Sequence, residues 1–187
     1  MPTGYQIKDQ DSCYFLTIQV VEWIDVFSRK NYRDCIIDSL KFCQDNKGLR
    51  MFAFVIMSNH IHMLVRSETG NLSDTLRDFK SFTSKEILKM IMSEKESRKE
   101  WMLKIFRLAA SKHERNSEYQ VWTHNNHAEE MFSNKFIEQK LEYIHNNPVR
   151  AGIVEYPEEY VYSSARNYAD KDGLLDVSLV YRNWKTI

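Results

Sequence analysis

Two histidines separated by one apolar residue, His60-Ile61-His62, stand inside the apolar run 54–65 (FVIMSNHIHMLV). On a strand, alternate side chains face opposite ways, so His60 and His62 project from one face while Ile61, Met63 and Val65 project from the other. Two imidazoles on one face can serve one metal ion while the opposite face anchors the strand in a core. The alternative is a surface strand with two solvated histidines; a polar pair inside so apolar a strand favours the metal. Two ligands fall short of a closed structural zinc site and suit a catalytic ion with open positions. An oxygen donor from Asn147 or Gln139 would complete the set if the last helix packs on the histidine face. The ion would then be a Lewis acid toward a phosphoryl oxygen, and Tyr143, on the same flank of that helix, would be the nucleophile. A phenol that forms one phosphodiester as it breaks another keeps the bond energy for rejoining strands, which suits strand transfer rather than hydrolysis.

The elements that must position these groups follow from local pattern. Cys13 to Trp23 (CYFLTIQVVEW) is rich in aromatic and β-branched residues and reads as a strand. Ser28 reads as the N-cap of a helix over 29–46, with Gly48 just past its end. Ile36, Leu40 and Cys43 recur at helical spacing, and Ile37 and Phe42 widen the apolar face. A second strand is expected over 51–57, a turn at Ser58-Asn59, and a third strand opening at His60. Ser73 reads as the cap of a long helix over 74–92, with Leu72, Leu76, Phe79, Phe82 or Thr83, and Ile87 on one face. Arg77, Lys80, Ser81, Lys85 and Lys89 lie around the rest, where basic and hydroxyl groups can hold phosphate oxygens; a plain solvated face is the competing reading. The charged stretch 94–118 reads as more helix, an insertion beside the core. Tyr119 to Thr123 (YQVWT) is expected to be the fourth strand. Ser133 is expected to cap a helix over 134–147, stopped by Pro148 because the residue before a proline avoids helical geometry. Its core stripe is Ile137, Leu141 and Ile144, which leaves Tyr143 off the stripe with Gln139 and Asn147 one turn to either side.

This order of strands and helices predicts the α+β class: helices packed on one face of a ferredoxin-like antiparallel sheet. The chain has 187 residues, 43% hydrophobic and 13% aromatic, with a formal net charge of zero. That suits a single domain over residues 1–168 with a C-terminal tail over 169–187. Charge is unevenly placed. Residues 66–115 hold twelve Lys/Arg against eight Asp/Glu, and residues 128–160 hold three against seven, so a locally basic segment can still meet phosphates. Cys13, Cys35 and Cys43 lack metal-binding spacing and read as small apolar fillers; their odd number and the lack of a signal peptide predict reduced thiols in a cytoplasmic protein. No apolar run reaches the length of a membrane span. His113, His124, His127 and His145 are expected at the surface or in packing, since His145 points about 160° away from Tyr143 on the helix.

Taken together, the motifs resemble a family. His60-Ile61-His62, in the context 57–64 (MSNHIHML), is similar to the HUH motif. The segment 141–154 (LEYIHNNPVRAGIV) is similar to the tyrosine helix of single-tyrosine HUH transposases, the insertion-sequence two-hundred/six-hundred-and-five family and their REP-associated tyrosine transposase relatives. The segment 160–168 (YVYSSARNY) resembles the stretch just after that helix in those proteins, and the likeness spans about residues 13 to 168. The resemblance implies a DNA transposase or nickase with a ferredoxin-like fold. It implies that His60 and His62 bind Mg²⁺ or Mn²⁺, and that Asn147 takes the place of a third, amide ligand. Tyr143 would attack a phosphate of single-stranded hairpin DNA, leaving a 5′-phosphotyrosine and a free 3′-hydroxyl. Arg77, Lys80 and Lys85 are the candidate DNA-binding cations. Members often dimerise by joining sheets and REP-associated ones can act as monomers, so a homodimer is allowed. Ser58 stands where proline is common, Val161-Tyr162 replaces a frequent Pro-Trp pair, and the N-terminal signature of strict REP-associated members is absent. These departures leave the DNA element and the oligomeric state unassigned.

Rival chemistries fit less well. A nucleotide hydrolase with alternating histidines would want a third at position 64, which is Leu64, and a binuclear metallohydrolase would want Asp-His where Met63-Leu64 stands. The serious alternative is a domesticated protein that binds hairpin DNA without cutting it.

Overall fold

The computed structural model of the protein describes residues 6–93, 96–112 and 118–180. The histidine strand β3, His60–Ser67, lies inside the sheet between β1, Tyr14–Gln19, and β2, Leu49–Ile56. The strand order is β2-β3-β1-β4, every pairing is antiparallel, and β4 is only Glu129–Glu130. This is the ferredoxin-like arrangement, in which the first and third strands sit side by side. Because β3 has a neighbour on each edge, both its backbone ladders are paired, and its side chains see protein on both faces. Ile61, Met63 and Val65 are fully buried. In register, His62 stands opposite Thr17 of β1 and Val55 of β2, and His60 stands opposite Gln19.

Helix α1, Lys30–Lys47, follows the first strand, and α2, Leu72–Ser93, follows the third. They pack on each other, and α1 packs on β2, covering the face that carries Ile61, Met63 and Val65. Gly48 ends α1 in the left-handed conformation (φ +64°), its N–H returning to Cys43 O, the role that glycine fills without a Cβ penalty. Ser28, expected as the cap, instead sits in a 3₁₀ turn, and Arg29 occupies the N-cap, where its side chain makes no capping hydrogen bond. On α1, Tyr32, Ile36, Leu40 and Cys43 are buried while Phe42 is exposed; on α2, Thr83 rather than Phe82 faces the core. Thr83 is satisfied there, because its hydroxyl donates to Phe79 O and accepts from Trp122 Nε1.

Helix α4, Asn134–Arg150, lies against β2 and β3 on the opposite face, the one with the histidines. Helices therefore cover both faces of the sheet, not one. Ser133 does cap α4, accepting from Phe136 N. The helix runs three residues beyond the expected stop and contains Pro148. A proline forfeits one ladder bond, but Ala151 N still reaches Asn147 O at 3.0 Å and Ile153 N reaches Pro148 O at 2.9 Å. With the ladder resuming within one turn, the loss stays local.

The fourth strand is also displaced. Over 119–123 only Trp122 bridges the first strand's end, at Val20, and the paired strand is the acidic Glu129–Glu130 opposite Phe15 and Tyr14. The strand expected over 13–23 correspondingly ends at Gln19 and turns at Val21–Trp23. Helix α3, Lys99–Ser111, backs that turn and accounts for part of the charged stretch 94–118, of which residues 94–95 and 113–117, with His113, fall outside the described residues.

The outer edge of β2 is bonded by later chain. Tyr160 OH donates to Ile56 O, Ile56 N to Tyr162 O, Ser164 N and Oγ to Phe54 O, Tyr168 OH to Phe52 O, and Ser178 N to Met51 O. A sheet edge left open is a template for another strand; this one is occupied. Helix α5, Ala165–Tyr168, lies within that edge segment.

Candidate active site

The site is assembled where β3, β1 and α4 meet. His62 is 5% exposed. Its ring stacks on Phe15 at 5.3 Å and lies 4.6 Å from the His60 ring, centroid to centroid. Its Nδ1 is 2.9 Å from Thr17 Oγ1. Its Nε2 is buried without any hydrogen-bond partner. An unpaired buried polar atom is costly; in the tautomer whose Nδ1–H donates to Thr17 Oγ1, this nitrogen keeps its lone pair. The fixed partner of His60 is Asn59. Asn59 Nδ2 donates to Trp23 O at 3.2 Å, which leaves Oδ1 to accept from His60 Nδ1 at 2.7 Å. His60 Nε2 is thereby left as the acceptor. Histidines that ligate metals show this pattern, one ring nitrogen oriented by a hydrogen bond and the other free.

Burial pushes the imidazoles down, His60 to about 4 and His62 to about 3, with the fields of His60, Lys140 and Arg150 adding to the effect at His62. Both rings are neutral at pH 7, the form that binds a metal. The residues present therefore fit a divalent ion in a two-imidazole set. Among the described residues no third His, Cys, Asp or Glu joins them, which leaves a neutral oxygen donor, such as the side-chain amide of Asn147 or Gln139, for any further protein ligand. Asn147 is half-buried on α4 and Gln139 is exposed.

Tyr143 is 38% exposed and its ring is 5.1 Å from that of His62 and 6.0 Å from that of Phe15. The next turns of α4 supply cations on both sides. Arg150 places its guanidinium carbon 4.3 Å from the Tyr143 ring centroid. Seven residues are about two helical turns, so only the extension of α4 past Pro148 brings Arg150 over that ring. Lys140 lies 4.2 Å from the Phe15 ring centroid and pairs with Glu129 at 2.8 Å.

The three cations expected to hold DNA are on α2, the helix behind the opposite face. Arg77 is paired with Asp74 and Asp78. Lys80 Nζ donates to Thr123 O and Asn126 Oδ1 at 2.7 and 2.8 Å, and burial pushes its ammonium down to about 8. Lys85 is exposed. The structure thus brings His60, His62 and Tyr143 together and leaves Arg77, Lys80 and Lys85 apart from them. His145 packs inside, its Nε2 2.8 Å from Ser164 Oγ, while His124 and His127 are exposed. The three cysteines are free, and burial pushes their thiols up to about 12, 11 and 11, which makes them inert fillers.

Thr17, Asn59, Phe15, Lys140 and Arg150 are site residues that sequence reasoning missed. Asn59 adjoins the motif, and Arg150 shares the Tyr143 flank by helical phase. Thr17 needed the register of β1 against β3.

The family described as "Transposase IS200 like" matches residues 14–147. Among solved structures, the chain is similar to one titled "Structure of the REP associates tyrosine transposase bound to a REP hairpin", with a TM-score of 0.57 and 14% identity over 93% of this chain and 90% of that one. No curated protein matches. No helix among the described residues is long and apolar enough to cross a membrane.

Proposed function

Because the chain belongs to the IS200-like transposase family, we propose that it cuts and rejoins single-stranded hairpin DNA, with Tyr143 as nucleophile and His60, His62 and Asn147 as the ligands of Mg²⁺ or Mn²⁺. The observation that carries this reading is the meeting of the Tyr143 ring with His62, at 5.1 Å, beside a buried Nε2 that has no partner. A divalent ion on these ligands supplies Lewis acidity at the phosphoryl oxygen.

The phenol oxygen of Tyr143 attacks the phosphorus. The bond from phosphorus to the 3′ oxygen breaks as the tyrosine–phosphorus bond forms. The phenol proton is lost, the departing 3′ oxygen takes a proton, and a 5′-phosphotyrosine and a 3′-hydroxyl result. Rejoining is the reverse, with a 3′-hydroxyl attacking the phosphotyrosine and the phenol departing. Phe15 and the Arg150 guanidinium both contact the Tyr143 ring. Arg150 has no carboxylate partner among the described residues, so its donors are available to a non-bridging phosphate oxygen. Of the α2 cations, Lys85 is the freest to meet more distant phosphates, since Arg77 and Lys80 have protein partners. Tyr143 and His62 meet within one chain, so the homodimer is not needed to complete this set. The hairpin bound in the similar structure suggests the class of substrate, and the protein would act in the cytoplasm.

The test is a covalent-adduct assay. Labelled single-stranded hairpin DNA from the flanks of the gene, with Mn²⁺, is expected to give a shifted band on a denaturing gel that Tyr143→Phe abolishes. Hairpin binding in a native gel without any adduct, across a panel of hairpins, would instead identify a DNA-binding protein without cleavage activity.

A further inference from the structure

Beside His60, the chain makes a turn that its own sequence does not favour. Glu22 and Trp23 are consecutive, neither is glycine, and both have left-handed backbone (φ +52° and +55°). A bulky residue in that region is strained, and such strain persists where the surroundings impose it and tends to gather at functional sites. Here the surroundings do impose it. Val20 N bonds Asn59 O, Val21 N bonds Val121 O, and Asn59 Nδ2 holds Trp23 O. Lys112 on the α3 side pairs with Glu22 at 3.0 Å.

What this scaffold holds up is an indole in water. Trp23 is 58% exposed, although burying it would stabilise the protein. Its ring stands edge-on to His60, 5.8 Å between centroids. Next to the same turn is a cleft of about 380 Å³ whose lining includes Gln19, Glu22, Gln120, His124, Asn125 and His127. Gln19 is the residue opposite His60 in the sheet. Amide and imidazole groups both donate and accept, which suits the polar edge of a nucleobase, and an exposed indole suits its face.

We propose that Trp23 is a stacking platform for a base of the single strand next to the scissile phosphate, and that the adjoining cleft receives the neighbouring base. This rests on the nucleic-acid reading above and adds to it a specific base-binding subsite. The phosphate reaches His60 and Tyr143 while the bases beside it leave the backbone toward Trp23. Asn59 links the two, since its one amide orients His60 and bonds the Trp23 carbonyl.

The probe is a fluorescent hairpin with single-stranded flanks, with an abasic residue placed at each flank position in turn, read by anisotropy. Trp23→Ala is expected to weaken binding by about five- to a hundredfold, and Trp23→Phe to recover most of it, because a phenyl face still stacks. One abasic position should weaken the wild type by the same factor and add nothing in Trp23→Ala. The salt dependence of binding should not change, since no phosphate contact is lost. Trp23 is exposed, so the melting temperature should hold. Wild-type affinity in Trp23→Ala, or abasic effects that all add to it, would overturn this subsite and leave the cleavage reading standing. A wild-type protein that binds no hairpin with single-stranded flanks would overturn both.

Discussion

On one face of β3, Ile61, Met63 and Val65 are fully buried and closed over by α1 and α2. On the other, one residue out of phase, His62 meets Phe15, Thr17 and Tyr143, with the His60 ring beside it. The first face is interchangeable apolar packing, satisfied by burial alone. The second is equally dry at His62 yet leaves a ring nitrogen unpaired, which packing alone would select against. Alternation along a single strand thus separates what holds the fold from the face proposed to do the chemistry, and substitutions at adjacent positions should fail in different ways.

The largest contrast is expected from His60→Ala. His60 is half-buried and its loss removes no core volume, so the variant should fold and melt much like the wild type, yet form no adduct with hairpin DNA in Mn²⁺. A second readout is independent of activity: Mn²⁺ should raise the melting temperature of the wild type, as a ligand of the native state must, and not that of the variant. A folded His60→Ala that still forms the adduct would remove the metal role of this face.

One position along, Ile61→Ala should do the reverse. It leaves a cavity under α1 and α2 and should cost about 2–5 kcal/mol of stability, read by urea unfolding. Below its midpoint, however, the surviving folded protein should form adduct at close to the wild-type yield. If Ile61→Ala abolished the adduct while still folded, the two faces would not be separable.

This division explains what could be read from sequence. The histidine face, the buried face, the Ser133 cap and the Gly48 stop depend on residues close in the chain, where period and capping chemistry act. The fourth strand depends on no such signal. YQVWT has strand composition, but Trp122 packs against Phe27 and Phe79 and gives its indole N–H to Thr83. The strand that pairs is Glu129–Glu130, two residues of poor β propensity held by their place beside β1. Pro148 misled for a related reason: its local cost is real, but burial of Pro148 itself and the bonds just beyond it carry α4 on to Arg150. Phe42 and Phe82 fit a helical stripe and yet are exposed, because the stripe's width is set by the neighbouring helix. Of the candidate site, the histidine pair and Tyr143 are legible as neighbours and their partners are not, since a partner such as Thr17 sits 45 residues from His62.

That hidden partner gives the finest test of the comparison. Thr17→Val keeps the shape of the side chain and removes the hydroxyl at His62 Nδ1. The change in stability should be moderate, about 1–3 kcal/mol, because it leaves a second buried ring nitrogen of His62 unpaired while Phe15 still stacks on the ring. The Mn²⁺ concentration needed for half-maximal adduct should nevertheless rise by roughly tenfold or more, the usual effect of losing the group that orients a ligating histidine. If the Mn²⁺ requirement did not move, stacking on Phe15 alone would be orienting His62, and the histidine face would be held by the same apolar packing as the face behind it.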